Sequence, residues 1–289
     1  MYWQTSRFLI DLARPQVMGI VNVTPDSFSD GGRFASHAEA MAHCEQLLKD
    51  GADILDIGGE STRPGAQPLG ESEELERILP VVRHAVTLGV PVSVDTYKPQ
   101  VMQAVLDAGA DIINDVWALR WTGSMDISPA RDVIRGHPSC GVCLMHMHLE
   151  PQTMQIQPMQ GNVVPQVLSF LERLALDLQG LGVDRRRICL DPGIGFGKTV
   201  SQNFALLAQQ NVFANSAYAV LAGWSRKSSL AAVAQLAADA QVQERMVPSV
   251  VAAVLAAQHG AHVLRVHDVR ETVKGLRVLA AIQTAQQLE

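Results

Sequence analysis

Polar side chains follow the short apolar segments of this 289-residue chain, one set after each segment. Short apolar runs bounded by turn residues predict buried strands. The polar residues that end them are Asn22, Glu60, Asp95, Asn114, His146, Asp191, Lys227, Arg265 and His267. Single Asp or Asn residues could cap the helices that follow, but Lys and Arg do not serve as N-caps. The pattern therefore indicates a functional site and not helix capping alone.

The charges in this set fit two kinds of ligand group. Four cationic side chains suit phosphate oxygens, with or without a divalent ion beside Asn22, and they are Arg63, Lys227, Arg265 and His267. Three acceptor-rich side chains suit the N–H edge of a heterocycle, and they are Asp95, Asn114 and Asp191. Together they predict a heteroaromatic ligand that carries phosphate or diphosphate.

Two loops add to this prediction. The first apolar run, Met18 to Val23, changes abruptly into a segment rich in Pro, Asp, Ser and Gly, which suits a loop that closes over a charged ligand. The glycines after Asp191 would let the backbone pass close to a flat ligand. Two further cations, Lys198 and Arg226, are expected to face solvent or to brace loops and not to act in catalysis.

The elements that position these groups repeat as strand–helix units. Eight strands are predicted at 17–22, 53–57, 90–94, 111–113, 141–145, 187–190, 217–221 and 261–264. Residues 2–16 read as a short extended hairpin, one helix is expected to begin with Ser36 as its N-cap, and one long helical region is expected to reach Gln258. This count favours an α/β fold consisting of a single (β/α)8 TIM barrel, residues 1–289, over a doubly wound open sheet. In such a barrel all the strand ends listed above surround one mouth.

Composition excludes several classes of protein. The chain is 47% hydrophobic with a net charge of −6 and no Lys/Arg run, so nucleic acid is not an expected partner. No apolar run reaches about 18 residues and no signal pattern opens the chain, which predicts no membrane contact and a cytoplasmic location. Cys140 and Cys143 have redox or zinc spacing, but no second such pair exists. All four cysteines are expected to be buried free thiols.

Eight motifs in order along the chain resemble those of the dihydropteroate synthase family, the folate-pathway enzymes that sulfonamides inhibit. They read MGIVNVTPDSFSDGG, DIGGESTRPGA, PVSVDTYKPQV, IINDV, CLMHM, DPGIGFGKT, GWSRKSSL and LRVHDV, between residues 18 and 269. The resemblance covers nearly the whole chain. It implies a (β/α)8 barrel, a homodimer, and small-molecule substrates.

The resemblance also implies an activity and a role for each motif residue. The family joins 4-aminobenzoate to 6-hydroxymethyl-7,8-dihydropterin diphosphate with Mg²⁺ present, giving 7,8-dihydropteroate and diphosphate. The implied pterin-binding residues are Asp95, Asn114, Asp191 and Lys227. The implied diphosphate-binding residues are Asn22, which would contact Mg²⁺, with Thr62, Arg63, Arg265 and His267. The implied aminobenzoate pocket consists of Phe28, Thr62, Arg63, Pro64, Phe196 and Ser228. Asp30 would face the reacting methylene, and Asp30, Lys227 and Arg63 are the implied catalytic residues.

Four residues depart from the family pattern, and all are expected near the barrel mouth, where they would alter the shape of the pocket. They are Trp117, Trp121, His148 and Trp224. One alternative is a pterin-dependent methyltransferase, which would have no use for the TPDSFSD and STRPG loops. A second is a non-catalytic paralogue that binds pterin diphosphate or another protein, which the intact Asn22, Asp30, Arg63, Lys227 and His267 disfavour.

Overall fold

The computed structural model describes residues 1–23, 32–60, 68–123, 129–151, 153–237 and 241–286, with the backbone alone for 32–35. A short antiparallel hairpin, β1 (Tyr2–Gln4) and β2 (Leu9–Asp11), comes first. Eight strands then form a closed barrel. They are β3 (Gln16–Asn22), β4 (Ile54–Gly58), β5 (Val92–Asp95), β6 (Ile112–Asp115), β7 (Gly141–Met145), β8 (Ile188–Asp191), β9 (Ala219–Ala222) and β10 (Val263–Val266). The last strand pairs with β3 in parallel, so the predicted (β/α)8 TIM barrel with its N-terminal hairpin is confirmed.

Ten helices within the described ranges surround or connect the strands. They are α1 (Gly32–Asp50), α2 (Glu71–Thr87), α3 (Pro99–Asp107), α4 (Ala130–Gly136), α5 (Val163–Gly180), α6 (Val200–Ala208), α7 (Gln210–Ala214), α8 (Ser228–Val233), α9 (Met246–Gln258) and α10 (Val269–Gln286). Local sequence explains several ends. A reciprocal capping box between Thr199 and Gln202 starts α6, and Gly89, with a φ of +74°, follows the end of α2.

Two helix predictions were wrong. The first helix begins at Gly32 and not at Ser36, because an N-cap residue type is a preference that a helix can run through. The long helical region to Gln258 is divided into α8 and α9. The division follows Gln235, whose φ of +53° is incompatible with a continuing helix, and Pro248 is tolerated because it lies in the first turn of α9.

The barrel interior changes from apolar to polar along the strands. Because alternate residues of a strand face one side, the lower interior layer is apolar and consists of Met18, Ile54, Ile112, Cys143, Cys189, Leu221 and Val263. Two residues further along the same strands, the inward positions are Ile20, Asp56, Asn114, Met145, Asp191 and Arg265. The polar groups are therefore collected at the carboxyl end of the barrel, which is the end where active sites of this fold lie.

The hairpin closes the opposite end of the barrel. Trp3 is fully buried, and its indole Nε1 donates a hydrogen bond to the carbonyl oxygen of Arg187 at 3.0 Å. Ile10 and Leu12 pack in the same apolar cluster as the lower interior layer. An apolar plug of this kind leaves the mouth as the end that can take a polar ligand.

The outward side chains of the strands form the second core, between barrel and helices. Leu55, Ile57, Val92 and Val94 are all fully buried there. The four cysteines are buried and free, as predicted. Within the described residues, no helix combines the length and apolar character needed to cross a bilayer.

Candidate active site

An arginine bound to two aspartates lies at the centre of the mouth. Arg265, inward-facing on β10, donates from Nε to Asp56 Oδ2 at 2.6 Å and from Nη2 to Asp95 Oδ2 at 2.7 Å. Asp56 also accepts from Ser93 Oγ at 2.6 Å and, at 3.4 Å, from Asn114 Nδ2. These bonds tie β10, β4, β5 and β6 together across the barrel.

Asp56 was missed by sequence reasoning. It lies within a strand and not at its end, and its side chain is completely buried. The available signal was its position two residues after Ile54 and two before Gly58, which places all three on the inner face. A charged residue at an inward position of an otherwise apolar strand indicates a buried ionic partner.

Three acceptor atoms at the mouth have no hydrogen-bond partner among the described residues. Asp95 uses only Oδ2, for Arg265, and Asn114 uses only its amide nitrogen. Asp191 uses only Oδ1, which accepts from the backbone N–H of Gly193 at 2.7 Å. The remaining oxygens of Asp95, Asn114 and Asp191 are therefore the positions where a ligand could donate hydrogen bonds.

Burial controls the charges of these carboxyl groups. Loss of solvation raises the pKa of Asp95 to about 7, although the neighbouring Arg265 opposes the shift. Burial likewise raises the pKa of Asp191, against the Gly193 N–H and the charges of Lys227 and Arg265. Arg265 itself is disfavoured by burial, yet Asp56 and Asp95 raise its pKa above the ordinary value. A ligand that donates hydrogen bonds would favour the ionised form of both carboxyl groups.

Lys227 lies close enough to Asp191 for its charge to oppose the rise in the pKa of that carboxyl group. It occupies the N-cap position of α8 but its side chain makes no capping bond. Its Nζ lies 4.5 Å from the ring centroid of Phe196, within the range of a cation–π contact. Gly195 lies against the same side chain, since a Cβ at this position would be 3.4 Å from Lys227 Cδ, and its φ of +83° favours glycine. Ser228 is exposed at the start of α8.

Two contacts join the loops that carry Lys227 and His267. Ser225 Oγ lies 2.9 Å from His267 Nδ1 and also accepts the backbone N–H of His267 at 3.1 Å. Arg226 makes a bidentate pair with Asp268, at 3.2 and 2.7 Å. Arg226 has a φ of +59°, a strained conformation for a residue with a side chain. Arg226 therefore braces the two loops, which is one of the two roles predicted for it.

A buried ionic cluster adjoins the mouth after β4 and β5. Lys98 Nζ bonds to the carboxylates of Glu60 and Glu74, and Tyr97 Oη donates to Glu60 Oε1 at 2.9 Å. The backbone N–H of Leu69 also donates to Glu60 at 3.3 Å. Glu60 was predicted to lie at the mouth, and the structure adds Lys98 as its buried partner. Residues 61–67, between Glu60 and Leu69, are outside the described residues.

The predicted site residues fall into two groups. Those that the structure brings to the mouth are Asn22, Asp95, Asn114, Asp191, Phe196, Lys227, Ser228, Arg265 and His267. Those that lie outside the described residues are Phe28, Asp30, Thr62, Arg63 and Pro64. The roles of this second group stay predictions.

The residues that depart from the family pattern are not all at the mouth. Trp117 and Trp121 lie against Tyr97, with ring centroids 6.3 and 5.3 Å away. Trp224 is buried, and its ring lies 5.2 Å from that of Phe204 in the layer between barrel and helices. The expectation that Trp224 shapes the pocket was wrong, because its side chain points outward from the barrel.

The whole chain resembles proteins of known family. Residues 18–267 match the model of a family described as pterin binding enzyme. The dihydropteroate synthase of Neisseria meningitidis serogroup B is 44% identical over 285 residues, 97% of each chain. The crystal structure of Burkholderia cenocepacia dihydropteroate synthase complexed with 7,8-dihydropteroate is 45% identical, with a TM-score of 0.88 over 100% of this chain and 98% of that one.

A second solved structure agrees. Xanthomonas albilineans dihydropteroate synthase with 4-aminobenzoic acid is 44% identical, with a TM-score of 0.87 over 95% of both chains. Both the sequence identity and the covered length exceed what a shared fold alone requires. With its closed barrel and its polar mouth, the chain belongs to the pterin-binding enzyme family, among the dihydropteroate synthases.

Proposed function

We infer that this protein catalyses the condensation of 6-hydroxymethyl-7,8-dihydropterin diphosphate with 4-aminobenzoate to give 7,8-dihydropteroate and diphosphate. One observation carries the inference: unused acceptor atoms and cationic side chains converge on one barrel mouth. The acceptors belong to Asp95, Asn114 and Asp191, and the cations are Lys227 and Arg265. A pterin diphosphate has N–H donors at one end and phosphate oxygens at the other, so it needs both.

The pterin ring is held by its donor edge. Asp95 and Asp191 accept its amino and ring N–H groups with the carboxylate oxygens that described protein groups leave unused. Asn114 adds the amide oxygen, and Lys227 lies over the ring of Phe196 at the side of the pocket. Hydrogen bonds to ionised acceptors in a desolvated site are stronger than neutral ones, which favours a ligand that offers several donors.

The diphosphate lies where the cations are. Arg265 donates hydrogen bonds from Nε to Asp56 and from Nη2 to Asp95, and Nη1 then faces a phosphate oxygen. His267 is oriented by Ser225. The family motifs assign Thr62 and Arg63 to the same diphosphate.

Mg²⁺ fits the donor set of this mouth. The side chain of Asn22, at the end of β3, has no described partner, and its amide oxygen is a ligand type that Mg²⁺ accepts. No group of three or more His, Cys, Asp or Glu that could hold a metal occurs among the described residues. That suits an ion bound mainly by diphosphate and water, with one or two protein oxygens. Mg²⁺ would neutralise charge on the departing diphosphate.

The aminobenzoate takes the outer part of the site. Phe196 and the exposed N-terminus of α8 at Ser228 form one wall. The family motifs assign Phe28, Thr62, Arg63 and Pro64 to the same pocket. Asp30 faces the methylene that reacts. An aromatic amine is already a nucleophile, so the protein's task is mainly to hold it in line with the methylene carbon.

The reaction exchanges one bond for another. The amine nitrogen forms a bond to the methylene carbon, the carbon–oxygen bond to diphosphate breaks, and its electron pair leaves with the diphosphate. The amine then gives up one proton to solvent. Lys227, Arg63 and Asp30 act by stabilising charges that develop on the leaving group and the methylene.

Product formation from defined substrates tests this function. The purified protein with Mg²⁺ is expected to release diphosphate only when both the pterin diphosphate and 4-aminobenzoate are present, with dihydropteroate as the product. Release that does not depend on 4-aminobenzoate would contradict the synthase function. Pterin binding without turnover would indicate the non-catalytic paralogue, and methyl transfer from a methylated reduced pterin would indicate the methyltransferase.

We also propose that the protein is a homodimer. Support comes from an exposed apolar face on α9 and α10, which pack against each other. Its residues are Val247, Val251, Leu255, Val278 and Ile282. The first three are spaced by four residues, so they lie on one side of α9.

Sedimentation of the wild type and two matched variants tests the dimer. Val251→Asp, on this face, is expected to give a monomer, whereas Leu176→Asp, at an exposed position on α5, should leave the dimer intact. A wild-type monomer at micromolar concentration would overturn the proposal.

We propose further that residues 1–289 form one domain and that the protein is cytoplasmic. Four free cysteines support the cytoplasmic location, because thiols persist in reducing compartments.

A further inference from the structure

Lys198 is buried beside the mouth, and no step proposed above uses it. Only 3% of the residue is exposed, which is rare for a lysine because burying an ammonium group is costly unless its N–H groups are satisfied. It was expected either to face solvent or to brace a loop, and the first of these is wrong. The partners of its Nζ show what it braces.

Four acceptors surround Lys198 Nζ, and they come from two neighbouring strand ends. The carbonyl oxygens of Gly193 and Phe196, in the loop after β8, lie at 2.8 and 3.1 Å. His146, at the end of β7, offers Nδ1 at 3.0 Å and its carbonyl oxygen at 3.4 Å. No carboxylate forms an ion pair with Lys198 within the described residues, so its three N–H groups serve the backbone and an imidazole.

The two strand ends that Lys198 joins are in direct backbone contact. A Cβ at Gly193 would lie 1.9 Å from the carbonyl oxygen of His146, and a Cβ at Gly197 would lie 2.6 Å from His148 Cβ. Both glycines have positive φ values, +68° and +71°. Carbonyl groups turned into so tight an interface need a donor from the protein itself, and Lys198 is that donor.

The braced loop, residues 191–197, carries groups assigned to ligand binding. Asp191 begins it, and Gly193 N–H orients that carboxylate. Gly195 and Phe196 both lie against the side chain of Lys227. The position of this loop therefore sets the distance between the carboxylate and the ammonium group that would face a pterin ring.

We propose that Lys198 is a positioning residue for pterin recognition, which holds the loop 191–197 against the end of β7 and so places Asp191 and Lys227 for the ring. The inference rests on the proposed pterin-binding role of Asp191. It gives the motif DPGIGFGK a physical explanation, since its glycines allow the close contact and its lysine holds it together.

The protonation of the neighbouring histidine is consistent with this arrangement. Burial, reinforced by the charge of Lys198, lowers the pKa of His146 to about 2, so the ring is neutral and its Nδ1 can accept from the ammonium. Burial lowers the pKa of Lys198 to about 7, with Asp191 opposing the shift, so the ammonium form with three N–H donors predominates below about pH 7. The imidazole is held in place by an edge contact with Phe170, at 4.9 Å between centroids.

Lys198→Met tests the proposal, because methionine fills similar space without N–H groups. Pterin diphosphate binding, measured by calorimetry with Mg²⁺, is expected to weaken about tenfold, the scale of one lost charge-assisted hydrogen bond. A residue with a merely structural role would lower the melting temperature and leave pterin affinity unchanged, and that result would overturn the proposal.

Arg187→Met is the matched control. Arg187 is also 3% exposed, and its guanidinium donates to the carbonyl oxygens of Ile134, His137 and Cys140 at the far end of the barrel. Removing it should cost stability without changing pterin affinity. If pterin affinity falls equally in Arg187→Met, the effect of Lys198→Met is general destabilisation and the proposal fails.

Two further variants separate the possible failures. If Lys198→Met does not fold, His146→Leu removes only the side-chain acceptor on β7, and weaker pterin binding in this variant supports the proposal while unchanged binding overturns it. Asp191→Asn tests the assignment on which the proposal rests. Unchanged pterin affinity in Asp191→Asn would refute the role of Asp191 itself, whereas a loss there combined with wild-type affinity in Lys198→Met refutes only the positioning role.

Discussion

Two arginine–aspartate groups stand at opposite ends of the barrel, and they use their hydrogen-bonding capacity differently. At the closed end, Asp111 accepts four bonds, three from the backbone N–H, Nε and Nη2 of Arg7 and one from the backbone N–H of Val92. The guanidinium of Arg7 also donates to the carbonyl oxygens of Val86 and Val90. The carboxylate of this ion pair is saturated by protein groups.

At the mouth, the corresponding group is not saturated. Arg265 reaches Asp56 and Asp95, but one carboxylate oxygen of Asp95 has no partner within the described residues. Asp191 and Asn114 likewise keep an unused oxygen there. A saturated ion pair contributes to the fold, whereas an unsaturated one retains the capacity to bind a ligand. The difference predicts that changes at the closed end affect stability and changes at the mouth affect binding.

The largest effect is expected at the closed end. Trp3→Ala should lower the free energy of unfolding by about 4 kcal/mol, because it removes a fully buried ring from the plug and leaves a cavity. Denaturant titration measures this loss. The kcat/KM at 15 °C should stay at the wild-type value, since the ring lies at the opposite end of the barrel from the mouth.

Trp3→Phe is the control, because it keeps most of the ring and loses only the bond to Arg187 O. It should recover the greater part of the lost stability. A fall in kcat/KM of the folded Trp3→Ala variant, measured at low temperature, would contradict the prediction that changes at the closed end affect stability and not activity.

Lys227→Ala should show the opposite behaviour. The loss of a cation from the pterin and leaving-group region is expected to lower kcat/KM for pterin diphosphate about 100-fold, or roughly 2.7 kcal/mol. Thermal unfolding should change little, because Lys227 is half-exposed at the start of α8. If the Lys227→Ala variant binds pterin diphosphate with wild-type affinity, the assignment of Lys227 to the pterin site is wrong.

The pH dependence of binding and of stability should differ in sign. Burial raises the pKa of Asp95 to about 7, above its value in the unfolded chain, so the folded protein takes up this proton first as pH falls. Asp95 therefore contributes more to the free energy of unfolding at pH 5 than at pH 7. Pterin binding needs the ionised acceptor, and kcat/KM should fall about tenfold for each pH unit below about 7.

Asp95→Asn provides the comparison for that profile. It should have low activity at every pH and should lack the fall below pH 7, because an amide does not titrate in this range. If the variant keeps the wild-type pH profile, another group controls binding.

The smallest effect is expected from the thiol in the lower barrel layer. Cys143→Ala should cost about 1 kcal/mol of unfolding free energy and leave kcat/KM unchanged, since the thiol is buried among apolar side chains. Thiol labelling of the wild type should proceed only after denaturation. Rapid labelling of Cys143 in the native protein would contradict its burial in the lower interior layer of the barrel.

Much of the fold could be predicted from residue patterns. Each buried strand is a short apolar run followed by a polar residue and a helix, so Met145 and His146, or Leu190 and Asp191, mark strand ends within about two residues. Helix limits were less certain, as Ser36 and Gln235 illustrate, because capping preferences are weak and tertiary contacts override them.

Residue patterns alone predicted the candidate site only where its residues end strands, and the family motifs added Phe196 and Ser228. Asp95, Asn114 and Arg265 were identified in this way, and the alternation of side chains along a barrel strand brings them together. Asp56 was missed because a fully buried strand shows no alternation in its sequence pattern.

The sequence by itself determined the barrel, its N-terminal hairpin and the family, because periodicity and local motifs are properties of neighbouring residues. Only the tertiary structure decided which charges are satisfied. Arg265 meets Asp56 across 209 residues of chain, and Lys198 meets His146 across 52. Whether such charged groups stabilise the fold or remain able to bind a ligand depends on contacts between residues far apart in the chain. The pattern of neighbouring residues in the sequence does not contain those contacts.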